Sequence, residues 1–243
     1  RTEESVREAY GAAYAGKTDD YFFQKMAPVY LCGKPMLLRI VDYKKALLTQ
    51  FAKTLNEFSA ESVLELGCGR GLNLLALAVL VPSLRFAHGV ELTAEGAAAT
   101  QGNFASPAIH ILEELTGLPR ESITSRLSQV SFSVEKGSML KLPFPDSSFD
   151  VVFSNSAIEQ VPREYPNVFS EAYRVARRAG IFSEPFEEAQ GWNFLYRMYL
   201  RNIDYFCASY RAVEKAGWRI SAFSVPTLQK AEFNTGFLVC EKN

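Results

Sequence analysis

Apolar positions along the chain follow two different spacings. Val41, Ala46, Leu47, Leu48, Phe51 and Leu55 recur at helical intervals and predict a helix leading into a core. Residues 21–58 as a whole carry that spacing, and Ser5–Lys17, rich in Ala, Gly and Tyr, reads as a looser helix before it. From Ser62 onward short β-like runs alternate with helical stretches: a strand over Ser62–Leu66, a helix over Leu72–Val81, a strand over Arg85–Glu91 and a helix over Ala94–Asn103. That rhythm predicts a parallel sheet with crossover helices. Residues 106–129 break it, because helix-like stretches follow Pro107 and Pro119 where a strand is due, so they predict an inserted helical pair. Strands resume at Val130–Glu135 and Phe149–Asn155, joined by the turn-rich run from Leu142 to Ser148. A helix over Arg163–Arg178, a fifth strand over Gly180–Glu184, a helix over Phe206–Ala216 and strands over Arg219–Val225 and Gly236–Glu241 complete the pattern. The division this predicts is a helical cap or lid over 1–58 and a main domain over 59–243.

Composition narrows the class. A chain of 243 residues fits one domain with added segments. With 48% hydrophobic and 22% charged residues it has apolar material for a sizeable core, which excludes disorder as its main state. Lys and Arg number 26 against 27 Asp and Glu, so bulk charge offers no attraction to nucleic acid, and no nucleic-acid partner is expected. The longest apolar run, Leu74–Pro82, is about half of the ~20 residues a membrane span needs, so none is expected. Cys32, Cys68, Cys207 and Cys240 are too scattered for a metal cluster and suit thiols in a reducing compartment; no metal is expected. Arg1–Asp20 lacks the apolar centre of a signal peptide, and a cytoplasmic protein is the expectation.

The sharpest local signal is Val63-Leu64-Glu65-Leu66-Gly67-Cys68-Gly69-Arg70-Gly71, an apolar strand running into three alternating glycines and then a helix. Such glycines permit a tight turn and let a ligand lie against bare backbone at a helix start. Glu91 ends the next strand, 20 residues after Gly71, where a carboxylate can accept both hydroxyls of a ribose. A dinucleotide fingerprint requires G-x-G-x-x-G, but the sixth position is Leu72 counted from Gly67 and Leu74 counted from Gly69. Glu65, two positions before the first glycine, suits a ligand that presents an ammonium group better than a pyrophosphate.

Glu65-x-Gly67-x-Gly69-x-Gly71, Glu91, and Leu142-Pro143-Phe144 followed by Ser148-Phe149-Asp150-Val151-Val152 together resemble a class I S-adenosylmethionine-dependent methyltransferase. Within that class the chain is most similar to the ubiquinone/menaquinone-biosynthesis-type branch that acts on small molecules. The resemblance implies an α/β fold: a Rossmann-like seven-stranded sheet with an antiparallel last strand, here with a helical N-terminal cap and a helical insertion. It implies S-adenosyl-L-methionine as cofactor, with Glu65, Gly67, Cys68, Gly69 and Gly71 around its methionine moiety, Glu91 on the ribose and Leu92 beside the adenine. Gly137-Ser138-Met139 stands where the family usually has an acidic or amide residue that meets the adenine amino group, so Ser138 is a departure and Met139 a candidate ring contact. Asn155 lies at the strand end where the family places donor and acceptor.

The implied reaction is methylation of oxygen or carbon on a small organic acceptor by in-line displacement. A general base is needed only if the acceptor arrives protonated. Of the two histidines, His88 sits inside a strand and reads as a packed core residue, and His110 falls in the inserted pair. Glu159 is therefore the candidate base, with Gln160 beside it as a substrate contact. Trp192 and Tyr196, in the aromatic stretch within 186–204, are further candidate substrate contacts. Two alternatives stay open in the sequence: a non-catalytic S-adenosylmethionine-binding partner protein, and a nicotinamide-dependent oxidoreductase. Oligomeric state is not set by any of these residues.

Overall fold

The protein is described from a computed structural model covering residues 3–14, 24–32, 34–190, 198, 202, 205–206, 208–230 and 234–242. Helix α1 (Glu3–Tyr14) precedes a hairpin of β1 (Met26–Leu31) and β2 (Lys34–Arg39), and then α2 (Ile40–Glu57). The alternating part follows as β3 (Ser62–Leu66), α3 (Leu72–Leu80), β4 (Phe86–Glu91), α4 (Ala94–Ala105), α5 (Ile109–Thr116), α6 (Arg120–Leu127) and β5 (Ser131–Lys136). The chain continues through β6 (Phe149–Asn155), α7 (Tyr165–Val175) and β7 (Ala176–Glu184) to β8 (Arg219–Ser224), β9 (Leu228–Lys230) and β10 (Gly236–Glu241).

The main sheet has seven strands in the order β5-β4-β3-β6-β7-β10-β8. Pairings from β5 through β7 are parallel, and β10 runs antiparallel between β7 and β8. This is the expected fold class, including the placement of the last strand between the fifth and sixth. Its central strands are covered on both faces. Val151 and Phe153 of β6 point into one apolar layer with Leu48 and Phe51 of α2, Leu74 and Leu77 of α3 and Leu112 of α5. Val152 points the other way, into a layer with Val168 and Phe169 of α7, Phe182 and Trp218. Phe51 bridges β6 and β10 across β7, its ring 5.3 Å from Phe153 and 4.9 Å from Phe237. A fully buried Leu or Phe contributes about 1.5–3 kcal/mol, so α2 holds firmly to the sheet that frames the site.

The structure differs from the sequence pattern in three places. The stretch before α2 forms a hairpin, not a helix, and β9 adds to it in a three-stranded sheet of order β2-β1-β9. The helix expected through Arg178 stops at Val175, and β7 starts at Ala176, because Arg177 reaches Asp150 at 2.6 Å and Arg178 reaches the Phe58 carbonyl. The helix expected over Phe206–Ala216 is a 3-10 helix over Tyr210–Ala216, capped by the Ser209 hydroxyl. The inserted pair is present as α5 and α6.

Candidate active site

The carboxyl ends of β3, β4, β5 and β6 open on a cleft at the point where strand order reverses between β3 and β6. Its wall includes Gly67, Glu91, Leu92, Met139, Ala157 and Gln160. The glycine loop after β3 is left-handed at Gly67, Gly69 and Gly71, with φ of 67°, 57° and 72°. At Gly67 a Cβ would lie 2.7 Å from the Cβ of Ala157, so only bare backbone fits between β3 and the turn after β6. The loop is anchored throughout: Gly67 and Cys68 N–H donate to the Val90 carbonyl at 2.9 and 3.0 Å, and Asn103 Nδ2 donates to the Arg70 carbonyl at 2.9 Å.

Two carboxyls bracket this loop. Glu65 is 1% exposed; Asn73 Nδ2 donates to its Oε1, while Oε2 is buried with no partner. Burial pushes Glu65 up to about 8, against the pull of the Asn73 hydrogen bond and the nearby Lys44 ammonium. Glu91 accepts from Gly69 N–H at 3.1 Å, from Thr93 N–H at 3.1 Å and from the Thr93 hydroxyl at 2.9 Å. A carboxylate offers about four acceptor positions, so Glu91 keeps capacity for a ligand hydroxyl. The Cys68 thiol turns away from the cleft toward Thr100 and Gly89, and burial raises it well above its usual range, so only its backbone belongs to the loop.

Residues 64–183 match the family model of the methyltransferase domain. Over these residues the chain carries an S-adenosylmethionine-dependent methyltransferase domain. Three solved structures share its fold. The magnesium protoporphyrin IX methyltransferase of Synechocystis PCC 6803, with S-adenosylhomocysteine bound, is 12% identical over 99% of each chain with a TM-score of 0.59. The [4+2]-cyclase SpnF is 12% identical over 99% of this chain and 96% of its own, with a TM-score of 0.65. An S-adenosylmethionine-dependent methyltransferase of Methanosarcina mazei is 19% identical over 74% of this chain and 91% of its own, with a TM-score of 0.54. The cofactor of the methyltransferase is S-adenosyl-L-methionine. The site's chemistry suits it: an unpartnered buried carboxyl oxygen at Glu65 for an ammonium, acceptor capacity at Glu91 for a ribose hydroxyl, and a glycine cradle that a side chain would fill.

The other predicted residues of the methyltransferase fall in four groups. Leu92, Met139 and Gln160 line the cleft with Gly67 and Glu91. Glu65, Cys68, Gly69, Gly71, Ser138 and Asn155 support that wall from behind or beside it; Asn155 ends β6 opposite Ser183, and Ser156, with φ of 54°, takes the wall position instead. Glu159 is half-buried and accepts from Gln160 Nε2 at 2.9 Å. Trp192 and Tyr196 lie outside the described residues. His88 lies one strand-length away, its Nδ1 2.6 Å from the Ser133 hydroxyl and its ring edge-on to Phe144.

Several residues of the site escape the sequence pattern. Glu184, at the end of β7, is fully buried; it accepts from the Ser154 hydroxyl at 2.7 Å, Ala157 N–H at 3.1 Å and Glu159 N–H at 3.4 Å. Burial, then the Glu159 carboxyl, pushes it up to about 8, and those hydrogen bonds pull it back. A carboxyl closing an otherwise apolar strand at the cleft end of a parallel sheet was the available signal. Glu3 and Val6 of α1 also line the cleft, and only the three-dimensional structure brings them there. Arg174 donates to the carbonyls of Leu142 and Phe144 at 2.9 and 2.7 Å and so ties the segment after β5 to α7. Among the described residues no helix is long and apolar enough to cross a membrane, and no cluster of metal ligands is present.

Proposed function

We propose that this methyltransferase acts on oxygen or carbon of a small organic acceptor with an apolar part, as in the branch it resembles. The observation that carries the reading is the cleft wall after β6, where Ala157 and Val161 are apolar and Ser156 and Gln160 uncharged, while the charged residues of the cleft, Glu3 and Glu91, are carboxyls and not cations. Such a lining repels a polyphosphate backbone and suits an uncharged molecule of modest size.

In this reading Glu65 holds the ammonium of the methionine moiety while the loop from Gly67 through Cys68 and Gly69 to Gly71 presents backbone to it. Glu91 accepts the ribose hydroxyls, and Leu92 and Met139 pack on the adenine. Bound S-adenosylmethionine supplies the transferable methyl on a positively charged sulfur. Glu159 takes the proton of an acceptor hydroxyl or acidic carbon, and Gln160, donating to Oε1 of Glu159, fixes the rotamer of that base. Glu184 holds the turn that carries both of them, and Asn155 and Ser138 brace the wall. Trp192 and Tyr196 are proposed as acceptor contacts on their sequence position alone.

Calorimetric titration with S-adenosylmethionine, S-adenosylhomocysteine and NADH, followed by transfer of labelled methyl to a panel of small aromatic and apolar acceptors, tests this reading. Both sulfur nucleosides bind and NADH does not. Glu91→Ala weakens binding about 10- to 100-fold, the loss of one strong hydrogen bond to a charged group; unchanged affinity would sink the ribose assignment. Label that enters RNA and none of the small acceptors would overturn the substrate class.

A further inference from the structure

The far end of the cleft, beyond Glu91, is built from Val90, Leu92, Gly137, Met139 and Val6, all without a polar side chain, and from one carboxyl, that of Glu3. Glu3 opens α1, and Val6, one turn along the same face, sits beside it. The Ser138 hydroxyl donates to Glu3 Oε1 and accepts from Leu140 N–H at 3.0 Å, so its proton is committed to Glu3. Helix α1 packs on α4, which holds the glycine loop from its other side.

We infer that Glu3 is the residue that selects an adenine over a 6-oxo purine in the cofactor, through a hydrogen bond from the exocyclic amine to its free carboxylate oxygen. The inference rests on the cofactor placement proposed above. Neighbouring strands lie about 4.8 Å apart, so a ligand with its ammonium at the end of β3 and its diol at the end of β4 carries its base toward the end of β5. That end is where Gly137 and Met139 stand. A purine there finds apolar faces above and below, and its amine needs an acceptor at the rim. Ser138 offers a hydroxyl already occupied on two sides, whereas Glu3 offers a carboxyl oriented by Ser138. The first helix thus supplies, from 135 residues away in sequence, the acidic group that the segment after β5 lacks.

S-Inosylhomocysteine, in which the purine amine is replaced by a carbonyl oxygen, separates this role from simple coverage of the cleft. Dissociation constants for S-adenosylhomocysteine and S-inosylhomocysteine are measured by calorimetry on the wild-type protein, Glu3→Gln and Ser138→Ala. The wild type prefers the amine about 10- to 100-fold. Glu3→Gln, which can turn a donor toward the carbonyl oxygen, brings the ratio to within about three-fold of unity without weakening the inosyl ligand. Ser138→Ala, which leaves the carboxyl in place but untethered, lowers the ratio in part. Equal losses for both ligands in Glu3→Gln would make Glu3 a packing residue of the helix and overturn the inference. A wild type that binds neither ligand would overturn the cofactor placement and the inference with it.

Discussion

Replacing Glu65 by Gln removes a group that is costly in the empty protein and that the proposed cofactor placement requires in the loaded one. Glu65 is wholly buried, and its displacement from an ordinary 4.5 to about 8 corresponds to at most about 5 kcal/mol at 1.36 kcal/mol per pH unit. The sign follows from proton counting. Below pH 4.5 the carboxyl is protonated whether the chain is folded or not, and it costs nothing. Between 4.5 and 8 the unfolded chain releases that proton while the folded chain keeps it, so stability falls with rising pH across this window and levels off above it. Urea unfolding of the wild type and Glu65→Gln at a series of pH values isolates the effect, since every other group titrates in both proteins. The variant gains on the wild type by up to about 5 kcal/mol between pH 4.5 and 8. Binding runs the other way. An ammonium placed against Glu65 requires the carboxylate, so S-adenosylhomocysteine affinity of the wild type rises as pH approaches 8, with one proton released, and Glu65→Gln binds weakly with no such slope. Parallel stability curves, or a wild-type affinity indifferent to pH, would refute the buried-acid assignment.

Three further outcomes follow from the geometry. Gly67→Ala combines a left-handed φ with a Cβ 2.7 Å from that of Ala157, and costs about 2–5 kcal/mol in thermal or urea unfolding while also weakening the cofactor. Glu159→Gln leaves S-adenosylmethionine affinity within about two-fold by calorimetry and slows labelled methyl transfer to a hydroxyl acceptor about 100-fold or more, as expected for loss of a general base. Cys68, 5% exposed with its thiol held well above the usual range, stays unlabelled by iodoacetamide at pH 8 in the folded protein and reacts on unfolding, whereas exposed Cys32 reacts at once; mass spectrometry of the two peptides reads the difference.

The parallel sheet is legible in the sequence because strands buried on both faces leave continuous apolar runs, such as Val151-Val152-Phe153, and because the first two crossover helices start at a glycine or a polar cap. Gly71 and Thr93 do this for α3 and α4. The hairpin ahead of α2 is not legible, since its apolar residues recur at intervals that also suit a helix, and its extended form depends on β9, about 200 residues later. Arg177 and Arg178 continue a helical pattern locally; pairing with β6 and the pull of Asp150 and the Phe58 carbonyl override it. At the site, Glu65, Gly67 and Glu91 can be singled out from spacing alone, along two successive strands and the loop and helix between them. Glu184 and Glu3 do not, because their meaning comes from partners in distant segments, Ser154 and Ala157 for one and Ser138 for the other.

The antiparallel position of β10 imposes an order of events during synthesis. Among the described strands, β8 pairs with β10 alone, and the outer edge of β7 is likewise closed only by β10. While the ribosome adds residues 185–235, at about 5–20 residues per second, β7 presents an apolar, unpaired strand edge for several seconds. Nascent chains arrested before residue 236 therefore carry a half-built sheet that is open to holding chaperones and to aggregation, and release past residue 241 closes it.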